Sequence, residues 1–195
     1  MRELITVSII PIFCVVAISA MAQERTLISG NIKSGGFGGP VLKVTEFRDE
    51  VGLMVGGRGG WIINHVLVIG GGGYGLTTNI DAPVSGLYLD VNYGGGILEY
   101  IILSDKAIHA SVSVLIGAGG INYTEGERSG PVHPYDEDGF FVAEPCVELM
   151  LNVATFFRIG VGVSYRYVNG IDLEGLSDSD ISGLSATVTF KFGKF

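Results

Sequence analysis

The chain is strongly apolar, yet past residue 22 it holds no unbroken apolar run of the 18 or more residues that a membrane-crossing helix needs. Hydrophobic residues make up 47% of it and its mean hydropathy is +0.45. Glycines, 31 in 195 residues, and single polar residues cut every apolar stretch short. Inside lipid, backbone N–H and C=O groups find no water, so only helices and closed barrels satisfy them. A greasy chain without long helices is therefore a candidate barrel, and period-two alternation is the pattern that decides. Disorder is excluded by a charged fraction of only 16% and by abundant β-branched and aromatic residues. The glycines show no three-residue period, which excludes a collagen-like chain.

The alternation is clearest in the second half. Phe141, Ala143, Pro145, Val147, Leu149 and Leu151 oppose Val142, Glu144, Cys146 and Glu148. Phe157, Ile159, Val161, Val163, Tyr165 and Tyr167 oppose Arg158, Gly160, Gly162, Ser164 and Arg166. Leu184, Ala186, Val188, Phe190 and Phe192 oppose Ser185, Thr187, Thr189 and Lys191. One face is large and apolar, the other small, glycine-rich or charged. Eight such segments are predicted, at about 36–48, 51–63, 65–77, 86–102, 108–122, 140–152, 155–168 and 183–195. Each is long enough to cross a bilayer at a tilt, and an even number is what bacterial single-chain barrels require.

The connections divide by length. Those near Asn64-His65, Ser104–Lys106 and Asn152–Ala154 are short, whereas of the alternate set Thr78–Ser85, Tyr123–Gly139 and Asn169–Ser182 are long and only Arg48-Asp49-Glu50 is short. Short periplasmic turns and longer external loops are the expected asymmetry, which places both termini in the periplasm. Aromatic residues then form two belts. Trp61, Tyr100, Phe157, Phe190 and Phe192 fall at the periplasmic ends; Tyr88, Tyr123, Phe141, Tyr165 and Tyr167 fall at the external ends.

The N-terminus reads as an export signal. Arg2 precedes an apolar stretch from Leu4 to Ile18, and Ala20-Met21-Ala22 forms an A-x-A site. Cleavage after Ala22 gives a signal peptide at 1–22, a periplasmic segment at 23–35 and a barrel domain at 36–195. The alternative is an uncleaved anchor. Cys14 lies within the apolar stretch and lacks the small residues a lipoprotein site needs before it. Cleavage would leave Cys146 as the only cysteine, which rules out an internal disulfide. The formal charge of −8 excludes a nucleic-acid partner.

With these patterns the chain resembles the small outer-membrane β-barrel proteins of the OmpA/OmpX type, from about Gly35 to Phe195. The resemblance implies a closed eight-stranded antiparallel up-and-down barrel in the bacterial outer membrane, in contact with lipid and lipopolysaccharide and acting as a monomer. The ending Ala186–Phe195 is similar to the C-terminal strand signal read by the barrel-assembly machinery, with Phe190, Phe192 and Phe195 as its candidate aromatics. Phe195 departs in register, three residues beyond Phe192. No peptidoglycan-binding module like that of longer relatives is expected after the barrel.

Eight strands enclose an interior just wide enough for side chains. Arg58, Asp90, Glu144, Glu148, Arg158 and Arg166 are assigned to it. Buried charges are costly unless paired, so an ion-pair network is expected, chiefly Glu144 and Glu148 with Arg158 and Arg166 on the adjacent strand. The expected role is envelope-structural or surface interaction. The alternatives are a narrow path for ions or small hydrophobic solutes, and a lipid-modifying enzyme.

The motifs that suggest other chemistry fail on geometry. Gly70–Gly75 matches G-x-G-x-x-G, but no helix follows to hold a phosphate, so no cofactor is expected. His109-Ala110-Ser111 resembles the His-x-Ser pair of outer-membrane deacylases, with Glu125 as a third member. That glutamate lies some 14–16 residues on, roughly 45–50 Å along an extended strand, so no catalytic residues are assigned. His65, His109 and His133 are far apart in the topology, so no metal site is expected. The loops Tyr123–Gly139 and Asn169–Ser182 each carry a net −4, which solvates them. Asp136, Asp138, Asp178 and Asp180 are their candidate weak cation ligands.

Overall fold

Alternating large and small residues, with glycines where strands crowd, produce eight strands and one short helix. The computed structural model describes residues 33–48, 50–84, 86–125 and 134–195. The signal-peptide segment 1–22 and its cleavage site lie outside them. The strands are β1 (Ser34–Phe47), β2 (Glu50–Ile63), β3 (Leu67–Leu76), β4 (Leu87–Ile102), β5 (Ile108–Glu125), β6 (Pro134–Ala154), β7 (Phe157–Asn169) and β8 (Gly183–Lys194), with α1 (Asp178–Ile181) before the last. Each pairs antiparallel with its neighbours in sequence, and β8 closes on β1.

The register fixes the size of the barrel. Paired residues run once round from Gly35 through Ile62, Val68, Glu99, Ser113, Cys146, Ser164 and Ser185 to Thr45, ten residues up the starting strand. At ~3.3 Å per residue and ~4.8 Å between strands, that stagger tilts the strands about 40°.

Polarity is inverted relative to a water-soluble barrel. Val147, Leu149 and Leu151 point outward at 50%, 59% and 46% exposure, while Glu148 between them is 1% exposed. The outward set continues round the wall with Leu42, Val55, Ile69, Leu98, Val112, Ile116, Val161, Val163 and Leu184. Contiguous apolar surface on this scale marks contact with another apolar medium. Among the described residues, sixteen polar or charged ones are buried instead, including Lys43, Arg58, Glu99, Glu144, Glu148, Arg166 and Lys191.

At the end holding the long loops the pattern changes sides. Leu87, Leu89, Val91, Ile121, Tyr123, Phe140 and Val142 face inward and join Phe47, Met54, Ile80, Leu173, Leu176 and Ile181 in one buried apolar cluster. Two sequence assignments are corrected by this change. Asp90 sits on the outward face of β4, between the buried Leu89 and Val91. Tyr123 is buried in the cluster, and its hydroxyl donates to Glu174 O at 2.9 Å. The physical reason is that a strand running past the hydrocarbon meets water outside and can again put its apolar face in. The same freedom lengthens the third hairpin: β5 runs to Glu125 and β6 starts at Pro134, with Asp138 opposite Ile121 and Glu137 opposite Asn122.

Trp61, Tyr100, Phe192, Phe141, Tyr165 and Tyr167 are exposed on the outer wall. Phe157 and Phe190 stack there with ring centroids 6.5 Å apart, and Tyr88 is half-buried on the outward face of β4. Phe195 falls outside this register and packs inside the mouth, its ring 6.3 Å from that of Phe37.

The glycine runs are strand, not phosphate loop: Gly70–Gly73 pair with Gly57–Gly60 on one side and Gly94–Ile97 on the other. Inward glycines make room for long neighbours. A Cβ on Gly162 would lie 2.6 Å from Glu148 Cγ on the adjacent strand. The tight β2–β3 turn takes positive φ at Asn64 (53°) and His65 (62°), with Val66 N donating to Ile63 O at 3.1 Å. Gly162→Val is expected to abolish most folding in micelles, read as loss of the compact band on unheated gels, while Val161→Leu on the outer wall leaves that band unchanged.

Candidate functional site

The only enclosed compartment these strands create is the lumen, and three layers fill it. The loop-end layer is the apolar cluster, held down by the last loop. Ser177 N donates to Asp180 Oδ2 at 2.8 Å at the start of α1, and Arg48 N donates to Asp180 O at 3.1 Å. Asp178 accepts from Ile171 N (2.9 Å) and Asn169 Nδ2 (3.3 Å), and Asp138 accepts from Asp172 N (2.5 Å). Three of the four candidate cation ligands thus hold loop backbone; the side chain of Asp136 lies outside the described residues. Among the described residues no three metal-ligating side chains converge.

The middle layer is charged, and its pairs span the lumen. Glu144 on β6 receives Lys43 Nζ from β1 (2.6 Å), the Tyr93 hydroxyl (2.6 Å) and Ser164 Oγ (2.5 Å). Lys43 Nζ also lies 3.4 Å above the Tyr74 ring. Glu148 is bonded by Arg58 from the opposite wall and by Thr189 Oγ1 at 2.5 Å. Arg58 comes within 3.6 Å of Glu99, whose other oxygen receives Lys191 Nζ at 2.6 Å. β4 and β8, like β2 and β6, stand on opposite sides of the ring. An eight-stranded interior is so narrow that long side chains from opposite walls meet at its axis.

The pairing expected from adjacent strands is corrected accordingly. Arg166 lies opposite Glu144 in the register but turns toward the loop end. There its Nε donates to Ile181 O at 2.7 Å and its guanidinium sits 4.2 Å from the Phe47 ring centre. Arg166 is therefore a fully buried cation neutralised by carbonyl dipoles and an aromatic face instead of a carboxylate. Arg158 pairs with Asn152, four residues below Glu148 on β6, too far along the strand to reach it. Its guanidinium rests 3.9 Å from the Phe195 ring centre, at the third layer, the mouth on the terminal side. Lys43, Glu99 and Lys191 complete the network and were not assigned to it from sequence.

The layers leave little space. The cavity bounded by Lys43, Arg58, Tyr74, Glu144 and Glu148 has about 20 Å³ for water centres, room for one molecule. His109 and Ser111 both face this interior, 3% and 1% exposed, with His109 Nδ1 and Ser111 Oγ making no hydrogen bond. On the exposed β4–β5 turn, Lys106 Nζ lies 3.1 Å from Asp105 and its hydrogen bond holds that carboxyl below the ordinary range.

Two solved β-barrels share this architecture. Neisserial surface protein A superposes with a TM-score of 0.62 at 11% identity, over 85% of this chain and 100% of that one. The N-terminal β-barrel domain of Pseudomonas aeruginosa OprF gives 0.51 at 12% identity, over 82% and 96%. These likenesses establish the fold: a closed eight-stranded antiparallel barrel of the outer-membrane kind. No protein-family model matches the chain, and no curated protein sequence matches it.

Arg58 contacts two buried carboxylates; Arg58→Met strands Glu148 and leaves Glu99 to Lys191 alone. The expected cost is about 3–5 kcal/mol, read from the urea midpoint in micelles. Combining it with Glu148→Gln recovers a large part of that loss, because the stranded charge is gone.

Proposed function

We propose that this chain is an exported outer-membrane protein whose sealed barrel anchors acidic loops at the cell surface, with no enzymatic activity and no open pore. The observation that carries this reading is the side-chain-filled interior inside an apolar outer wall, since a filled lumen leaves the loops as the part able to meet a partner. Both described ends of the chain share one rim with the β2–β3, β4–β5 and β6–β7 turns, which supports a periplasmic rim there and an external loop rim. Export follows from cleavage after Ala22, and insertion from recognition of the outward Phe190 and Phe192 of β8 by the barrel-assembly machinery. Outer-membrane lipid and lipopolysaccharide are the surrounding partners, and the chain works as a monomer. One of the two similar barrels is named as a surface protein, which agrees with display at the cell surface.

Two features support the absence of catalysis. The His109–Ser111 pair is enclosed by the lumen wall, and β5 separates it by the length of the strand from Glu125 at the loop end. A base and its orienting group must lie within hydrogen-bond reach.

The test has two arms, both in a Cys146→Ser background. A cysteine at Ser179 is expected to react with an impermeant maleimide on intact cells, and one at Lys106 only after the outer membrane is opened. The purified protein in planar bilayers is expected to show no sustained ohmic current. Reversed labelling, or steady openings that disappear in Glu148→Ala, contradict the proposal.

A further inference from the structure

The two ends of the barrel carry opposite charge. In the sequence, the four connections at the loop end carry many more acidic than basic residues. At the terminal end, Lys33, Lys106, Arg158 and Lys194 stand against Asp105 as the single acidic side chain outside the lumen among the described residues. These cations do not cluster on one side. Lys33 precedes β1, Lys106 lies in the β4–β5 turn, Arg158 follows the β6–β7 turn, and Lys194 closes β8. Together they ring the rim.

Their depth is set by the aromatic belt. Lys33 is fixed to the β2–β3 turn, with Asn64 N donating to Lys33 O at 2.8 Å and Lys33 N donating to Asn64 Oδ1 at 3.2 Å. Trp61 is three residues up that strand from Asn64, exposed on the outer wall. Arg158 directly follows Phe157, and Lys194 comes two residues after Phe192. Arg158 turns into the mouth over the Phe195 ring, where it lines a groove of about 340 Å³ with Asn152 and Thr155. Lys33 and Lys194 thus stand one to a few residues beyond rings that seat at the headgroup level.

We propose that this ring docks the headgroups of anionic phospholipids in the leaflet on the terminal side. The proposal rests on the bilayer-spanning reading above and names the lipid class that one rim selects. Long basic side chains keep their stems on the apolar wall and lift their charge to the phosphates. The attraction is electrostatic, so it favours net-anionic over zwitterionic lipid and fades as salt shortens the Debye length. The acidic loop rim repels the same lipids, so the charge pattern also favours one orientation across an asymmetric membrane.

Trp61 is the only tryptophan and lies on the outer wall at this rim, which makes it a local probe of lipid identity. The protein is inserted in phosphatidylcholine vesicles containing a minor share of brominated phosphatidylglycerol or of brominated phosphatidylcholine. At low salt, the anionic lipid is expected to quench Trp61 roughly twofold more strongly. The two lipids are expected to quench equally at high salt, and in Lys33→Gln/Lys106→Gln/Lys194→Gln at any salt. Equal quenching of the unaltered protein at low salt, as a soluble polyanion partner or none would give, overturns the proposal. So does a preference that survives in the triple variant. Failure to insert even into neutral vesicles removes the bilayer reading itself, and the proposal with it, and is thereby distinguished from loss of lipid preference after normal insertion.

Discussion

A peptide group in hydrocarbon has no water to bond to, and this single cost dictates the architecture. The chain's glycine-interrupted apolar stretches cannot form long helices, so every strand needs a neighbour on each side. Eight strands staggered by ten residues meet that demand by joining β8 to β1. Once the ring is closed, the outer wall has to be apolar and the inner wall inherits the polar residues. Trp61, Tyr100 and Phe192 toward one end of that wall, and Phe141, Tyr165 and Tyr167 toward the other, are exposed rings of the kind that membrane interfaces favour.

Closure at this size also decides the interior. Opposite walls are close enough for Arg58 to reach Glu148 and for Lys191 to reach Glu99, so the lumen is filled by cross-braced charges. Glu144 gathers Lys43, Tyr93 and Ser164 from three other strands. Buried ion pairs contribute little net stability over apolar packing, but leaving one partner alone is costly. The network therefore specifies register more than it adds stability. Inward glycines such as Gly162 are the complement of those long side chains, placed where the neighbouring strand's glutamate needs the room.

Legibility in the sequence followed the solvent. Where lipid wets one face, as on β6, β7 and β8, alternation alone located strands and faces. β4 misled because it crosses two media: Asp90 and Glu99 have opposite parity, so treating Asp90 as inward hid Glu99 among outward positions. Tyr123 went astray for the same reason, being read as a belt residue when the strand had already left the bilayer. The partners of Glu144 and Glu148 were not legible at all. Adjacent-strand logic offered Arg158 and Arg166, but which residues meet across the lumen depends on the stagger summed round all eight strands. Alternation carries no record of that sum.

Lipid contact along the outer wall is the claim on which the rest stands, and nitroxide labels placed singly from Cys146 to Leu151 in vesicles test it most directly. Collision with dissolved oxygen is expected to be high at Val147, Leu149 and Leu151 and low at Cys146, Glu148 and Met150, with a water-soluble nickel complex reaching none of the six. Labels at Val147, Leu149 and Leu151 that collide freely with the nickel complex, or a profile without period two, would contradict it.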